Sequence, residues 1–292
     1  HTRSCQVTGV QTCALPTWDR VFTNFLSEHE KGRTPNPDVL CNREIKFKSF
    51  LDYAFKIGAD YIATGHYAKI INKDNRFYLS RAKDINKDQT YFLHEVSEKE
   101  FSKCLFPLEN LTKSEVRSIA LKNDLVTANK KDSVGICFVG EKNLKDFLSR
   151  FIEFKKGDIK DENDNIIGQH QGSILYTQGQ RQGLMIGGVK GKEELPWYVY
   201  KKDISKNEIY VCQGGDNKLL MNEGLYVEDI NYINDIAYKY PIECSVQVRH
   251  QHTPVSCTIE KLSSEYKVIF EEPIRAIAPG QSAVFYDKEI CL

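Results

Sequence analysis

The stretch GRTPNPDVLCNREIKF, residues 32–47, decides how the rest of the chain is read. Pro35 and Pro37 stand two apart, which interrupts regular structure and predicts an irregular loop. Residues 42–57 carry apolar side chains at helical spacing and end at Gly58, so they read as an amphipathic helix. Cys41 falls at the mouth of that helix, where the positive end of the macrodipole favours a thiolate. Asp38, three residues earlier, either caps the helix or exchanges a proton with a bound group. Asn36 offers an amide suited to reading a base edge. A second cysteine, Cys137, lies in KKDSVGICFVG, residues 130–140. Lys130 and Lys131 would favour its thiolate and Gly135 would let a substrate approach the backbone, whereas Ile136 and Phe138 argue for a packed strand. Two thiols and an acid point to sulfur chemistry on a bound substrate.

Working outward, residues 18–30 place apolar side chains at 18, 21, 22, 25 and 26, one stripe of a helix. DYIATGHYAKI reads as a short buried strand running into a glycine turn, the kind of edge where open α/β sheets bind ligands. FYLSRAKD suggests a strand or hairpin arm, and KDQTYFL a polar loop. Thr112 followed by Glu115 is a capping box at the head of a helix over 112–122, and 143–152 reads as another helix. After Gly157 the pattern changes to short β-type segments, among them GSILYT, WYVYKKD, EIYVCQ, ECSVQVRH and SAVFYD. That predicts an antiparallel β region, a small linking domain and then a barrel.

At 292 residues and 41% hydrophobic content, the chain can bury two or three cores. Lys+Arg and Asp+Glu are both 40, so net charge names no partner. No long apolar run and no signal peptide are visible, so a cytoplasmic protein without membrane contact is expected. Nine cysteines, odd in number and irregular in spacing, argue against a disulfide scaffold. The lack of any CxxC argues against a metal site. Residues 1–16 show no periodicity and read as a non-native or disordered leader. KEICL stops while strand-like alternation is still running, so a clipped final strand is expected.

These residues, with ATGHYA, KDQTYFL, GQHQGSILYTQGQRQGL, PWYV and PGQSAVFY, carry a resemblance. Over residues 18–292 the chain resembles the bacterial tRNA-specific 2-thiouridylase family. The resemblance implies a multidomain α/β plus β fold. An adenine-nucleotide α-hydrolase-like domain of the ATP pyrophosphatase (PP-loop) type would occupy 17–145, a small β-rich domain 146–214, and a C-terminal β-barrel 215–292. It implies adenylation of O2 of the wobble uridine (U34) with ATP and Mg2+, then sulfur delivery from a cysteine persulfide. Its partners would be tRNA of the Lys, Glu and Gln type and a sulfur-relay protein or cysteine desulfurase, acting on a monomer.

Carried onto this sequence, Cys137 would hold the persulfide and Cys41 would close a transient disulfide with it, at a Cα separation of about 4.4–6.8 Å. Asp38 would be the acid/base group beside the target base, with Asn36 and Pro37 shaping the pocket. Gly65 matches an ATP-contacting glycine. His66, Lys87, Asp88, Gln89, Arg249, His250 and Gln281 match tRNA contacts. Where the family often has Arg-Tyr, this chain has Arg249-His250. The family's SGGVDS-type PP-loop has no counterpart before Trp18, so loss of ATP-dependent turnover is the expectation for the chain as given. The alternatives are another PP-loop tRNA thiolase, such as a 4-thiouridine enzyme, and a non-catalytic RNA-binding fragment.

Overall fold

A computed structural model describes residues 17–130, 144–188 and 191–292. Cys137 and the segment around it lie outside the described residues, as do residues 1–16.

The first helical stretch runs through Thr17–Phe22 and Thr23–Glu30. Its predicted stripe is the buried one: Val21, Phe22 and Phe25 are sealed. Phe22 meets the rings of Phe147 and Phe151 edge-on at 5.4 and 4.8 Å, beside helix Leu144–Leu148. Such pairs add roughly 0.5–1.5 kcal/mol beyond burial. The predicted helix over 143–152 is shorter than expected, because residues past Leu148 turn back on its carbonyl.

The second helical stretch starts earlier than predicted. Pro37 is its first residue, where a missing N–H costs nothing. Asn36 is the cap, its side-chain oxygen accepting from the Asp38 N–H at 3.2 Å. The capping role considered for Asp38 therefore belongs to Asn36. The helix is α over Pro37–Leu40, widens to π pitch over Cys41–Ser49, and returns to α over Phe50–Lys56. Gly58, at φ 93°, ends it.

Strand β1 (Ile62–Ala63) pairs in parallel with β4 (Cys104–Leu105). Between them β2 (Lys69–Lys73) and β3 (Arg76–Ser80) form a hairpin. Its turn residues Asp74 and Asn75 both have positive φ, 53° and 60°, the tight-turn geometry that matches strand twist. Helix Lys113–Lys122 follows, with Thr112 and Glu115 forming the predicted capping box.

The middle of the chain holds a four-stranded sheet of order β6-β5-β8-β7, from β5 (Gly157–Lys160), β6 (Ile166–His170), β7 (Trp197–Asp203) and β8 (Glu208–Gln213). GSILYT is not a strand. Gly172 adopts φ 142°, and the Ser173 N–H and hydroxyl both donate to Asn207 Oδ1, which fixes a 3-10 turn instead. β5 and β6 escaped the sequence reading because they lie among Lys, Asp, Asn and Gly.

The last third supplies β9 (Met221–Val227), β10 (Ile242–Gln247), β11 (Val255–Lys261), β12 (Tyr266–Arg275), β13 (Val284–Asp287) and β14 (Ile290–Cys291). They join the early hairpin in one eight-stranded sheet of order β2-β3-β14-β13-β10-β11-β12-β9. Ile290 pairs with Ser80. One apolar cluster likewise mixes Phe47, Leu51, Tyr91 and Phe101 with Val284, Tyr286 and Cys291. The first and last thirds of the sequence thus share both a sheet and a core. No helix among the described residues is long and apolar enough to cross a membrane.

Candidate active site where three segments meet

The loop ahead of Asp38 is held from two sides. The Thr34 N–H donates to the Pro279 carbonyl at 2.8 Å, and Gln281 Nε2 donates to the Thr34 carbonyl. The Thr34 hydroxyl meets the Thr177 hydroxyl at 3.2 Å. Gly280, at φ 91°, leaves no room for a side chain: a Cβ there would lie 2.8 Å from the Thr34 nitrogen and from Arg33 Cβ. The barrel segment and the central segment therefore fix the start of the Asp38 helix.

Pro37 is buried, and Asn36, Asp38 and Cys41 are half-buried. Burial raises the pKa of Asp38 above the usual carboxylate range, opposed by the charge of Lys46 and then of His250. A carboxyl held this way can give as well as take a proton. His66, just after β1, is buried between the rings of Phe47 and Phe106 at 5.6 and 6.0 Å. Lys46 Nζ donates to His66 Nε2 at 3.5 Å, and Thr64 Oγ1 lies 2.7 Å from Nδ1. An ammonium has no acceptor, so Nε2 is the bare nitrogen and Nδ1–H donates to Thr64. Burial first, and Lys46 second, push the His66 pKa down to about 3. The imidazole is neutral at physiological pH. Gly65 is exposed, and a Cβ on it would meet nothing closer than Leu108 Cδ1 at 4.0 Å.

His250, in the β10–β11 turn, packs its ring on Phe92 at 4.3 Å, and its Nε2–H donates to the Asp88 carbonyl at 3.0 Å. The KDQT turn is organised from within. Asp88 accepts from the Ala82 N–H at 2.9 Å, the Thr90 N–H at 3.2 Å and the Thr90 hydroxyl. Gln89 closes a two-way bond with Tyr67, backbone to side chain and backbone to backbone. Lys87 is exposed on the same turn.

The expected RNA contacts accordingly divide. Lys87 faces outward. The Asp88 side chain is buried and spent on its own turn. Arg249 Nη2 donates to the Gln178 and Ala276 carbonyls at 2.8 and 2.6 Å, joining the central segment to the barrel. Gln281 holds Thr34. His66 is turned into the core with both nitrogens engaged. His66, Asp88, Gln89, Arg249, His250 and Gln281 thus all make hydrogen bonds within the protein, because a polar side chain that finds a buried partner is held by it. The structure brings Asp38, Cys41, Lys46, His66 and His250 into one neighbourhood. Lys46, Thr64, Phe92, Thr34 and Thr177 were missed. Only Lys46 left a trace, lying on the helix predicted over 42–57, eight residues beyond Asp38.

One cavity of about 830 Å³ is lined by Arg33, Arg43, His94, Gln178 and Gln281 but not by Asp38, Cys41 or His66.

Comparison with known proteins matches three family models in succession: the tRNA methyl transferase HUP domain over residues 5–141, the tRNA methyl transferase PRC-barrel domain over 145–213, and the aminomethyltransferase beta-barrel domain over 222–292. A tRNA-specific 2-thiouridylase MnmA of Pseudomonas fluorescens strain Pf-5 is 51% identical over 279 residues, covering 96% of this chain and 74% of the relative. That of Legionella pneumophila strain Lens is 51% identical over 276 residues, covering 94% and 76%. The chain belongs to the tRNA-specific 2-thiouridylase family. Membership accounts for the architecture: the 2-thiouridylase HUP segment carries Asp38, Cys41 and His66, the PRC-barrel segment supplies Thr177 and Gln178, and the barrel segment supplies Arg249, His250 and Gln281.

Proposed function

We propose that this chain forms 2-thiouridine at the wobble position of tRNA, with ATP as co-substrate. One observation carries the reading: a half-buried carboxyl, Asp38, stands one helical turn before a half-buried thiol, Cys41, on a helix start pinned by both other segments. The 2-thiouridylase relatives act on tRNA by their names. The methyl transfer in the family-model descriptions would not need two thiols.

The chemistry runs as follows. Uracil O2 is a poor leaving group, and transfer of an adenylyl group to it, with loss of pyrophosphate, makes it a good one. The outer sulfur of a persulfide on Cys137 attacks C2 and AMP departs with the former O2. The Cys41 thiolate then attacks the Cys137 sulfur, the S–S bond to the delivered sulfur breaks, and the thiocarbonyl remains. A Cys41–Cys137 disulfide is left for a thiol reductant. Asp38 exchanges the proton at the base. Gly65, open at the carboxyl end of a parallel strand, fits the approach of a nucleotide. Lys87 fits a contact to the RNA backbone, with His250 and Phe92 beside it.

Deleting the gene tests this. Position 34 of the Lys, Glu and Gln tRNAs should lose 2-thiouridine by nucleoside mass spectrometry, while 4-thiouridine stays. A plasmid copy should restore it, and copies with Cys41→Ser or Cys137→Ser should not, although both proteins still bind tRNA. Unchanged 2-thiouridine in the deletion strain would overturn the reading, loss of 4-thiouridine would favour the other thiolase, and a methylated product would favour methyl transfer.

A further inference from the structure

Lys46 is placed by a peculiarity of its helix. Two α-helical turns take about 7.2 residues, so position 46 would overshoot position 38 in a regular α-helix. The wide pitch over Cys41–Ser49 takes up the surplus and returns Lys46 to the azimuth of Asp38. The Lys46 ammonium reaches 3.5 Å from His66 Nε2 and also acts on Asp38.

The site needs what Lys46 supplies. His66 is neutral and cannot be a cation. His250 has its Nε2–H on the Asp88 carbonyl. Among the described residues, the charged or titratable groups found to act on Asp38 are Lys46 from its own helix and, more weakly, His250 from the β10–β11 turn. One ammonium therefore serves two groups: it fixes which nitrogen of His66 is bare, and it favours the ionised form of Asp38 against burial.

We propose that Lys46 is a positioning residue for thiolation, its ammonium set against His66 Nε2 so that the ring keeps its Nδ1–H tautomer beside the Asp38 helix. The catalytic part of this rests on the 2-thiouridine reading, and the electrostatic part does not.

The test uses the full chain with Lys46→Met, Lys46→Gln and Lys46→Arg. The side chain is exposed, so removing it leaves the core intact. Nitrogen-15 NMR of the His66 ring should show a protonated Nδ1 and a bare Nε2 in the parent, a mixture of tautomers in the Met and Gln variants, and the parent pattern in Lys46→Arg. The Asp38 carboxyl, followed by carbon-13 NMR, should titrate at higher pH in the Met and Gln variants. His250→Gln should move it in the same direction by less. In turnover, kcat should fall roughly tenfold in Lys46→Met at unchanged KM for tRNA, part of the range general acid–base groups supply. The Asp38 limb of the pH profile should shift as the NMR titration does. Parent-like His66 tautomer and Asp38 midpoint in both Met and Gln variants would overturn the proposal, as would a KM effect without a kcat effect. Unchanged 2-thiouridine in the deletion strain would instead sink the functional reading and leave the NMR arms to judge the electrostatic pairing.

Discussion

Two regions of this molecule hold cysteines in opposite ways. Cys244 and Cys257 face each other across β10 and β11, direct register partners with sulfurs 3.6 Å apart, inside the barrel core. Contact with Cys257 and then burial drive the Cys244 pKa far above the ordinary thiol value. Cys41 is half-buried at a helix start, one turn beyond a carboxyl. Proximity of two sulfurs does not make a reactive pair. A thiol must also be able to ionise: Cys244 is half-buried like Cys41, but its contact with the buried Cys257 works against its thiolate. The closest thiols in the described structure are thus packing residues, and the one proposed for chemistry stands apart from them.

The sharpest way to break that contrast is to remove one sulfur from each region. Cys41→Ser should lower thiolation by at least ~10³-fold with unfolding nearly unchanged, whereas Cys257→Ser should leave turnover within about twofold and lower stability by about 1 kcal/mol. Equal losses of activity would end the distinction. Asp38→Asn comes next, with a turnover loss on the order of 10²-fold and a gain in stability at neutral pH. The sign follows from a folded-state pKa above the unfolded one. The parent's stabilisation from this carboxyl is complete below the unfolded value and fades as pH rises through the folded value, so the gap between parent and variant in urea unfolding should widen with pH.

His66 should show the reverse slope. Its pKa falls from 6.5 to about 3 on folding, so its contribution is complete above pH 6.5 and is lost as pH falls toward 3. His66→Gln should flatten that acid limb, a difference on the order of 2 kcal/mol at pH 5 in urea melts. Gly280→Ala tests the barrel's hold on the site. A positive φ and a Cβ at 2.8 Å from Thr34 predict a loss of roughly 1–2 kcal/mol and slower turnover, through displacement of the Asp38 helix.

Local rules were legible and tertiary ones were not. The stripe Val21–Phe22–Phe25, the Thr112–Glu115 box and the strands around EIYVCQ and SAVFYD follow from periodicity and capping alone, because each pattern is satisfied within a few residues. GSILYT failed because Asn207, far along the chain, captures Ser173. Asp88, Arg249 and Gln281 looked like surface groups because their types usually are, and nothing local reveals a buried carbonyl waiting elsewhere. Asp38 and Cys41 were readable from the helix start. The part played by Lys46 depends on a change of helical pitch that no spacing rule anticipates.

The zipper between Ser80 and Ile290 has a consequence for biogenesis. A nascent chain cannot complete its early hairpin's neighbourhood until β14 leaves the ribosome, so the sheet that joins the first and last thirds closes long after its first strands are made.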